Sequence, residues 1–171
     1  MDLKQTVMGI VLFIVFWAFQ GGYFNSLGAA AWFVGSIIFV VILWVIGKFA
    51  MPNPSAEIKD LWMFVTIFAI VATFMISFTG PYLGAVLPAD PSQLTPLVLS
   101  FWLIIFGGAL FVTGHADQKW NVTAVIGLIW LFSSLHFVTA VSTGPNSYLH
   151  FGLITGLSFI IGGIVAKQQA K

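Results

Sequence analysis

The chain contains 171 residues, of which 60% are hydrophobic and only 6% are charged. Its mean hydropathy is +1.05 and its formal net charge is +1. Soluble domains carry about a quarter charged residues, because polar side chains have to cover their surface, so this composition excludes a soluble domain. It also excludes a disordered chain, and the small net charge gives no basis for nucleic-acid binding. We therefore expect an integral membrane protein.

Six apolar stretches are long enough to cross the hydrocarbon core of a bilayer, which takes about 20 residues in a helix. They lie at residues 5–23, 27–48, 58–80, 95–114, 121–142 and 147–167. Turn-forming segments separate them, among them Gly21-Gly22, Thr79-Gly80-Pro81 and Thr143-Gly144-Pro145. The sequence predicts an all-α polytopic protein with six transmembrane helices in three helical hairpins, forming a single domain over residues 1–171. The first span is too long for a signal peptide, and no exported polar domain follows it.

The lysines predict the orientation of these spans. With six spans, both termini, the 2–3 loop and the 4–5 loop share one side of the membrane. All six lysines fall there: Lys4, Lys48, Lys59, Lys119, Lys167 and Lys171. Cytoplasmic loops carry the excess of basic residues, so we expect both termini on the cytoplasmic side of the inner or plasma membrane. The longest segment on the other side runs from Pro81 to Pro96, either as an ordinary loop or as one that folds over the outer face or reaches a neighbouring subunit.

No carboxylate or lysine is expected at depth in the membrane, where ion pumps usually place them. Cysteine is also absent, which removes thiolate metal sites and cysteine nucleophiles. We predict neither an enzyme nor a metal or cofactor. His136, in the middle of the fifth span after Ser133, is either a pore-lining, proton-sensitive residue or a neutral imidazole hydrogen-bonded between helices.

The other two histidines are expected at opposite membrane surfaces. His150 begins the sixth span near the outer surface, at a pore mouth or simply at the interface, and His115 lies with Asp117 at the inner surface. Axial ligation of haem by two histidines requires both at one depth, so no haem is expected. Thr139 adds a hydroxyl to the fifth span, where Ser and Thr either bond back to their own helix or face a solute.

The third hairpin resembles the acetate/succinate uptake family of six-helix membrane channels. The resemblance lies in Asn146-Ser147-Tyr148-Leu149-His150-Phe151-Gly152 followed by Gly156, and in Gly22-Tyr23-Phe24 before a small-residue-rich second helix with Gly35. That family carries an Asn-Pro motif at the start of its first helix. The corresponding residues 4–10 of this chain contain neither Asn nor Pro. The amide and urea channels share the general plan. The resemblance implies a pore through each protomer, often in a hexamer, with Tyr23, Asn146 and His150 near its path.

Two functions remain in contention. The first is a channel or transporter for a small solute such as an acetate-like monocarboxylate, urea or ammonia, lined by Ser133, His136 and Thr139 with Tyr23, Asn146 and His150. The second is a non-catalytic integral-membrane subunit of a larger complex, which explains the few charges and the many apolar faces equally well. In either case the expected partners are the lipid bilayer and either further copies of the chain or other membrane subunits.

Overall fold

The computed structural model describes residues 2–23, 34–35, 37–42, 44–45, 55–79, 91–116, 121–139 and 146–169. No strand occurs in these ranges, and the all-α prediction is confirmed. The helices are α1 (Asp2–Gln20), α2 (residues 34–35, 37–42 and 44–45), α3 (Ala56–Thr79), α4 (Pro91–Ala116), α5 (Val122–Thr139) and α6 (Ser147–Gln169).

The fourth helix begins earlier than the sequence predicts. The segment from Pro81 to Pro96 was expected to be a loop, but α4 already starts at Pro91 and contains Pro96. A proline is tolerated at the first helical position, since the missing N–H has no intrahelical partner there. Pro96 follows within two turns and costs the helix one backbone hydrogen bond. The prediction of an ordinary loop is therefore wrong for residues 91–94, while the position of this segment outside the membrane stays a prediction.

Within the part of the chain that the structure describes, three stretches are long and apolar enough to cross a membrane, namely Ala56–Met75, Pro96–Ala116 and Ser147–Val165. Two other apolar stretches, Thr6–Gln20 and Val122–Phe137, are shorter. At 1.5 Å per residue, these stretches of 15 and 16 residues reach about 23 and 24 Å across a hydrocarbon core of about 30 Å. Length and composition thus make the three longer helices compatible with a membrane location.

Neighbouring helices run antiparallel. Phe16 of α1 lies against Gly152 of α6, and Gly9 of α1 lies against Gly156 of α6. Because the residue numbers increase along α1 where they decrease along α6, the two helices run in opposite directions. In α3 and α4, Trp62 near the start of one helix contacts Thr113 near the end of the other. Similar pairs join α4 to α5 and α5 to α6. The start of α6 and the ends of α1 and α5 consequently share one end of the bundle.

Close backbone contacts occur where glycines of two helices meet. A Cβ on Gly156 would lie 2.7 Å from the carbonyl oxygen of Gly9, and a Cβ on Gly127 would lie 2.6 Å from that of Gly107. Small residues allow helices to approach this closely in membrane proteins. The tightest packing is thus between α1 and α6 and between α4 and α5, whereas the three predicted hairpins pair α1 with α2, α3 with α4 and α5 with α6.

Aromatic rings fill the space between the helices. The Phe39 ring stacks on Trp102 with a centroid distance of 5.0 Å and an interplanar angle of 4°. It also meets Phe16, Phe106 and Phe151 edge-on and stacks against Trp130 at an interplanar angle of 26°. We call the six rings together the aromatic centre: Phe16, Phe39, Trp102, Phe106, Trp130 and Phe151. All six are buried. The aromatic centre joins α1, α2, α4, α5 and α6.

Candidate functional site

His136 and His150 meet at one end of the bundle. His136 lies in the last turn of α5 and His150 in the first turn of α6. The Nε2 atom of His136 lies 3.4 Å from the Nδ1 atom of His150, with the donor set by the tautomers, and the ring centroids are 5.4 Å apart. His136 is exposed and His150 is half-buried. We call these two residues the histidine pair.

The histidine pair corrects the depths expected from the sequence. His136 was placed in the middle of a span over residues 121–142 and His150 at the outer surface. The described helix α5 ends at Thr139, so His136 is three residues from that end. Since α5 and α6 run antiparallel, the last turn of one lies beside the first turn of the other. The expectation that no two histidines share a depth was therefore wrong.

The first turn of α6 is fixed to α1. The backbone N–H of Leu149 donates to the Gln20 Oε1 atom over 3.3 Å. This bond satisfies one of the free N–H groups at the start of the helix. The Tyr148 ring stacks on Phe19 at 5.6 Å, and the His136 ring meets Phe137 edge-on at 5.4 Å. The backbone on both sides of the histidine pair is thus held by packed neighbours.

The remaining residues singled out in the sequence lie around this end. Ser133 is half-buried one turn before His136 on α5, and Asn146 is exposed directly before α6. Tyr23, just beyond α1, is 72% exposed. The side chain of Thr139 lies outside the described residues. Among the predicted site residues, His136 and His150 are brought into contact.

Hydroxyl groups inside the bundle pair with tryptophans and with backbone carbonyls. The indole N–H of Trp102 donates to Thr73 Oγ1 over 2.8 Å, and that of Trp130 donates to Ser158 Oγ over 2.8 Å. The Ser100 hydroxyl donates to the Ser134 carbonyl over 3.0 Å. The sequence does not show which hydroxyl accepts from which tryptophan, although a buried indole N–H requires an acceptor. These hydroxyls serve packing between helices.

The opposite end of the bundle carries a different polar group. Trp62 donates its indole N–H to Thr113 Oγ1 over 3.0 Å, and the His115 ring stacks on Phe111 at 6.0 Å. Asp117, which was considered with His115, lies outside the described residues. Within the described ranges no group of three or more His, Cys, Asp or Glu side chains is placed to hold a metal ion.

Comparison with family models, with curated proteins and with solved structures finds no match to this chain. The resemblance to the acetate/succinate uptake family therefore stays a prediction. The site is defined by its geometry alone: two imidazoles at one end of an apolar bundle whose centre is filled by aromatic rings.

Proposed function

We propose that the chain is a multi-pass integral membrane protein with six crossing helices and both termini in the cytoplasm. The distribution of polar groups supports this proposal. Hydroxyls such as Thr73 and Ser158 are buried and paired inside, whereas large apolar side chains cover the outside of α3, including Phe64 at 66% exposure and Met63 at 61%. A bilayer solvates such a surface and water does not.

Extraction of native membranes tests the membrane assignment. We expect the protein to stay in the membrane pellet after alkaline carbonate treatment and to be released by detergent. Release by carbonate alone would contradict the proposal.

We further propose that the protein serves as a non-catalytic, membrane-embedded subunit rather than as a channel through its own bundle. The observation that carries this is the aromatic centre, because Phe39 and its five ring neighbours fill the space between α1, α2, α4, α5 and α6. The hydroxyls that could have lined a solute path are bonded to tryptophans and carbonyls instead.

The outer face of α3 is the surface we propose for the partner subunit. Its exposed side chains include two methionines and three phenylalanines: Met63, Phe64, Phe68, Phe74 and Met75. Phe64 and Phe68 stack with a centroid distance of 5.9 Å and an interplanar angle of 5°. Aromatic residues and methionine are enriched at protein interfaces, and stacked rings present a flat surface to a partner helix.

Site-specific photo-crosslinking in native membranes tests this role. With a benzophenone amino acid at position 64 or 68, we expect one crosslinked protein of defined mass, either a second copy of the chain or a different membrane subunit. The matched control places the same probe at Ile10 or Ile14, which are exposed on α1. Crosslinking to lipid alone at every position would contradict a partner subunit.

A channel or transporter for an acetate-like monocarboxylate, urea or ammonia is the second candidate. The histidine pair favours it, since a solute approaching this end would meet His136, His150 and the nearby Asn146. The aromatic centre would then have to rearrange. Flux of each solute into liposomes that contain only the purified protein tests this function, with His136→Ala as the site variant and His115→Ala as the control. Selective flux through the original protein that is lost in His136→Ala but kept in His115→Ala would establish the channel function. Absence of flux of every solute through the original protein would exclude it.

A further inference from the structure

We propose that His136 and His150 form a binding site for a divalent transition-metal ion of the zinc, copper and nickel class. Bound there, the ion would join the last turn of α5 to the first turn of α6. The proposal is independent of whether the bundle acts as a subunit or as a channel, because it rests only on the geometry of the two imidazoles.

The separation of the two nitrogens fits two ligands of one tetrahedral ion. The Nε2 atom of His136 and the Nδ1 atom of His150 are 3.4 Å apart. With metal–nitrogen bonds of about 2.05 Å, an ion bound to both atoms would subtend an angle of about 112° between them, close to tetrahedral. Axial ligation of a haem iron places two nitrogens on opposite sides of the metal, about 4 Å apart at the same bond length, so the pair does not suit haem.

Both ligand atoms can present a lone pair without a change in charge. A neutral imidazole carries one hydrogen, on either ring nitrogen. The hydrogen that now lies between the two rings moves to the outer nitrogen of its own ring when the metal binds. Both imidazoles stay neutral and both inner nitrogens become ligands, which is the form in which histidine binds metals.

The surroundings of the histidine pair favour a preformed site. The hydrogen bond from Leu149 N–H to Gln20 holds the backbone next to His150, and the bond from Trp130 to Ser158 holds α5 against α6. Exposure of His136 gives an ion access from outside the bundle. Water can fill the remaining coordination positions on this exposed side.

The donor set predicts which ions bind. Imidazole suits zinc, copper and nickel, whereas magnesium and calcium require oxygen ligands. No carboxylate joins the histidine pair in a cluster within the described ranges. We therefore expect binding of Cu²⁺, Ni²⁺ and Zn²⁺ and no response to Mg²⁺ or Ca²⁺.

Thermal unfolding of the full chain in detergent, without an affinity tag, tests the site. An ion that binds the folded state raises the Tm as its concentration increases. We expect Zn²⁺ and Cu²⁺ to raise the Tm, EDTA to reverse the rise, and His136→Ala or His150→Ala to abolish it. The matched control, His115→Ala, removes the one remaining histidine, which lies at the opposite end, and should respond like the original protein. An equal rise in all variants, or none in the original protein, would overturn the proposal.

If an alanine variant does not fold, direct measurements of metal binding to glutamine variants test the proposal instead. For His136→Gln and His150→Gln, we expect the Kd for Cu²⁺ to weaken by at least about tenfold, as with losses even in the outer shell of metal sites. Electron paramagnetic resonance of the Cu²⁺ complex of the original protein should show coupling to two imidazole nitrogens. Coupling to one nitrogen or to none contradicts the site.

Discussion

Gly9 on α1 and Gly156 on α6 lie so close together that the carbonyl oxygen of each occupies the space that a side chain on the other would need. This contact joins the first and last described helices of the chain. Antiparallel helices in a bilayer associate through such close packing, because lipid supplies no hydrophobic driving force between them. The Gly9–Gly156 contact therefore sets how near α1 and α6 can approach.

Replacing Gly156 by Ala should lower the free energy of unfolding by about 1–3 kcal/mol, the usual cost of overpacking. The matched control is Gly108→Ala on α4, where a Cβ would meet nothing within 4 Å. There the gain in helix propensity should leave stability unchanged or raise it by up to about 1 kcal/mol. Unfolding by denaturant in detergent micelles measures both variants. Equal losses at the two positions would contradict the close contact.

Thr73→Val removes the hydroxyl that accepts from Trp102 and leaves a buried indole N–H without its acceptor. We expect a loss of about 1–3 kcal/mol in the free energy of unfolding. Thr66→Val, at a half-buried position of the same helix, should change stability by less than about 0.5 kcal/mol. Adding Trp102→Phe to Thr73→Val should cost less than the sum of the two single changes, and strict additivity would show that the two groups are not coupled.

Phe39→Ala should be among the most destabilising single substitutions in the described helices. Its ring is 1% exposed and contacts rings on four other helices, so its removal leaves a cavity that costs about 3–5 kcal/mol. Phe64→Ala, at an exposed ring on α3, is the control and should have little effect in detergent. Similar losses for both variants would show that Phe39 is not at the centre of the packing.

Gln20→Met should loosen the start of α6. The change removes the oxygen that accepts from Leu149 N–H and should cost about 1 kcal/mol, as does the loss of other helix caps. Hydrogen exchange at the amides of the first turn of α6 should become faster, while exchange in α4 stays the same. Gln168→Met, at an exposed position near the end of α6, is the control. Unchanged exchange at Leu149 would contradict the capping role of Gln20.

The positions of the helices could be predicted from the sequence, since long apolar stretches and Gly-Pro turns mark them directly. The predicted span at 147–167 and the helix Ser147–Gln169 share their start. The start of α4 at Pro91 could not be predicted, because prolines mark both loops and the first turn of a helix. Most of the predicted second span lies outside the described residues.

Which helices pack against each other could not be predicted, because helix packing depends on how the helix surfaces fit in three dimensions. Gly9 looks unremarkable in the sequence, and only its contact with Gly156 gives it a role. From the sequence, His136 and His150 were expected at different depths, whereas their rings are in contact. The meeting of His136 with His150 then follows from the antiparallel packing of α5 and α6.

Labelling of single cysteines in intact cells tests most directly whether the two ends of this bundle face opposite sides of a membrane. The chain contains no cysteine, so each introduced thiol reports one position, and the exposed positions Ser55 and Glu57 lie at the opposite end from Tyr23 and Asn146. We expect a membrane-impermeant maleimide to label Tyr23→Cys and Asn146→Cys in intact cells, and Ser55→Cys and Glu57→Cys only after permeabilisation. Labelling of all four from outside would contradict a bundle that crosses the membrane, and the reverse pattern would contradict cytoplasmic termini.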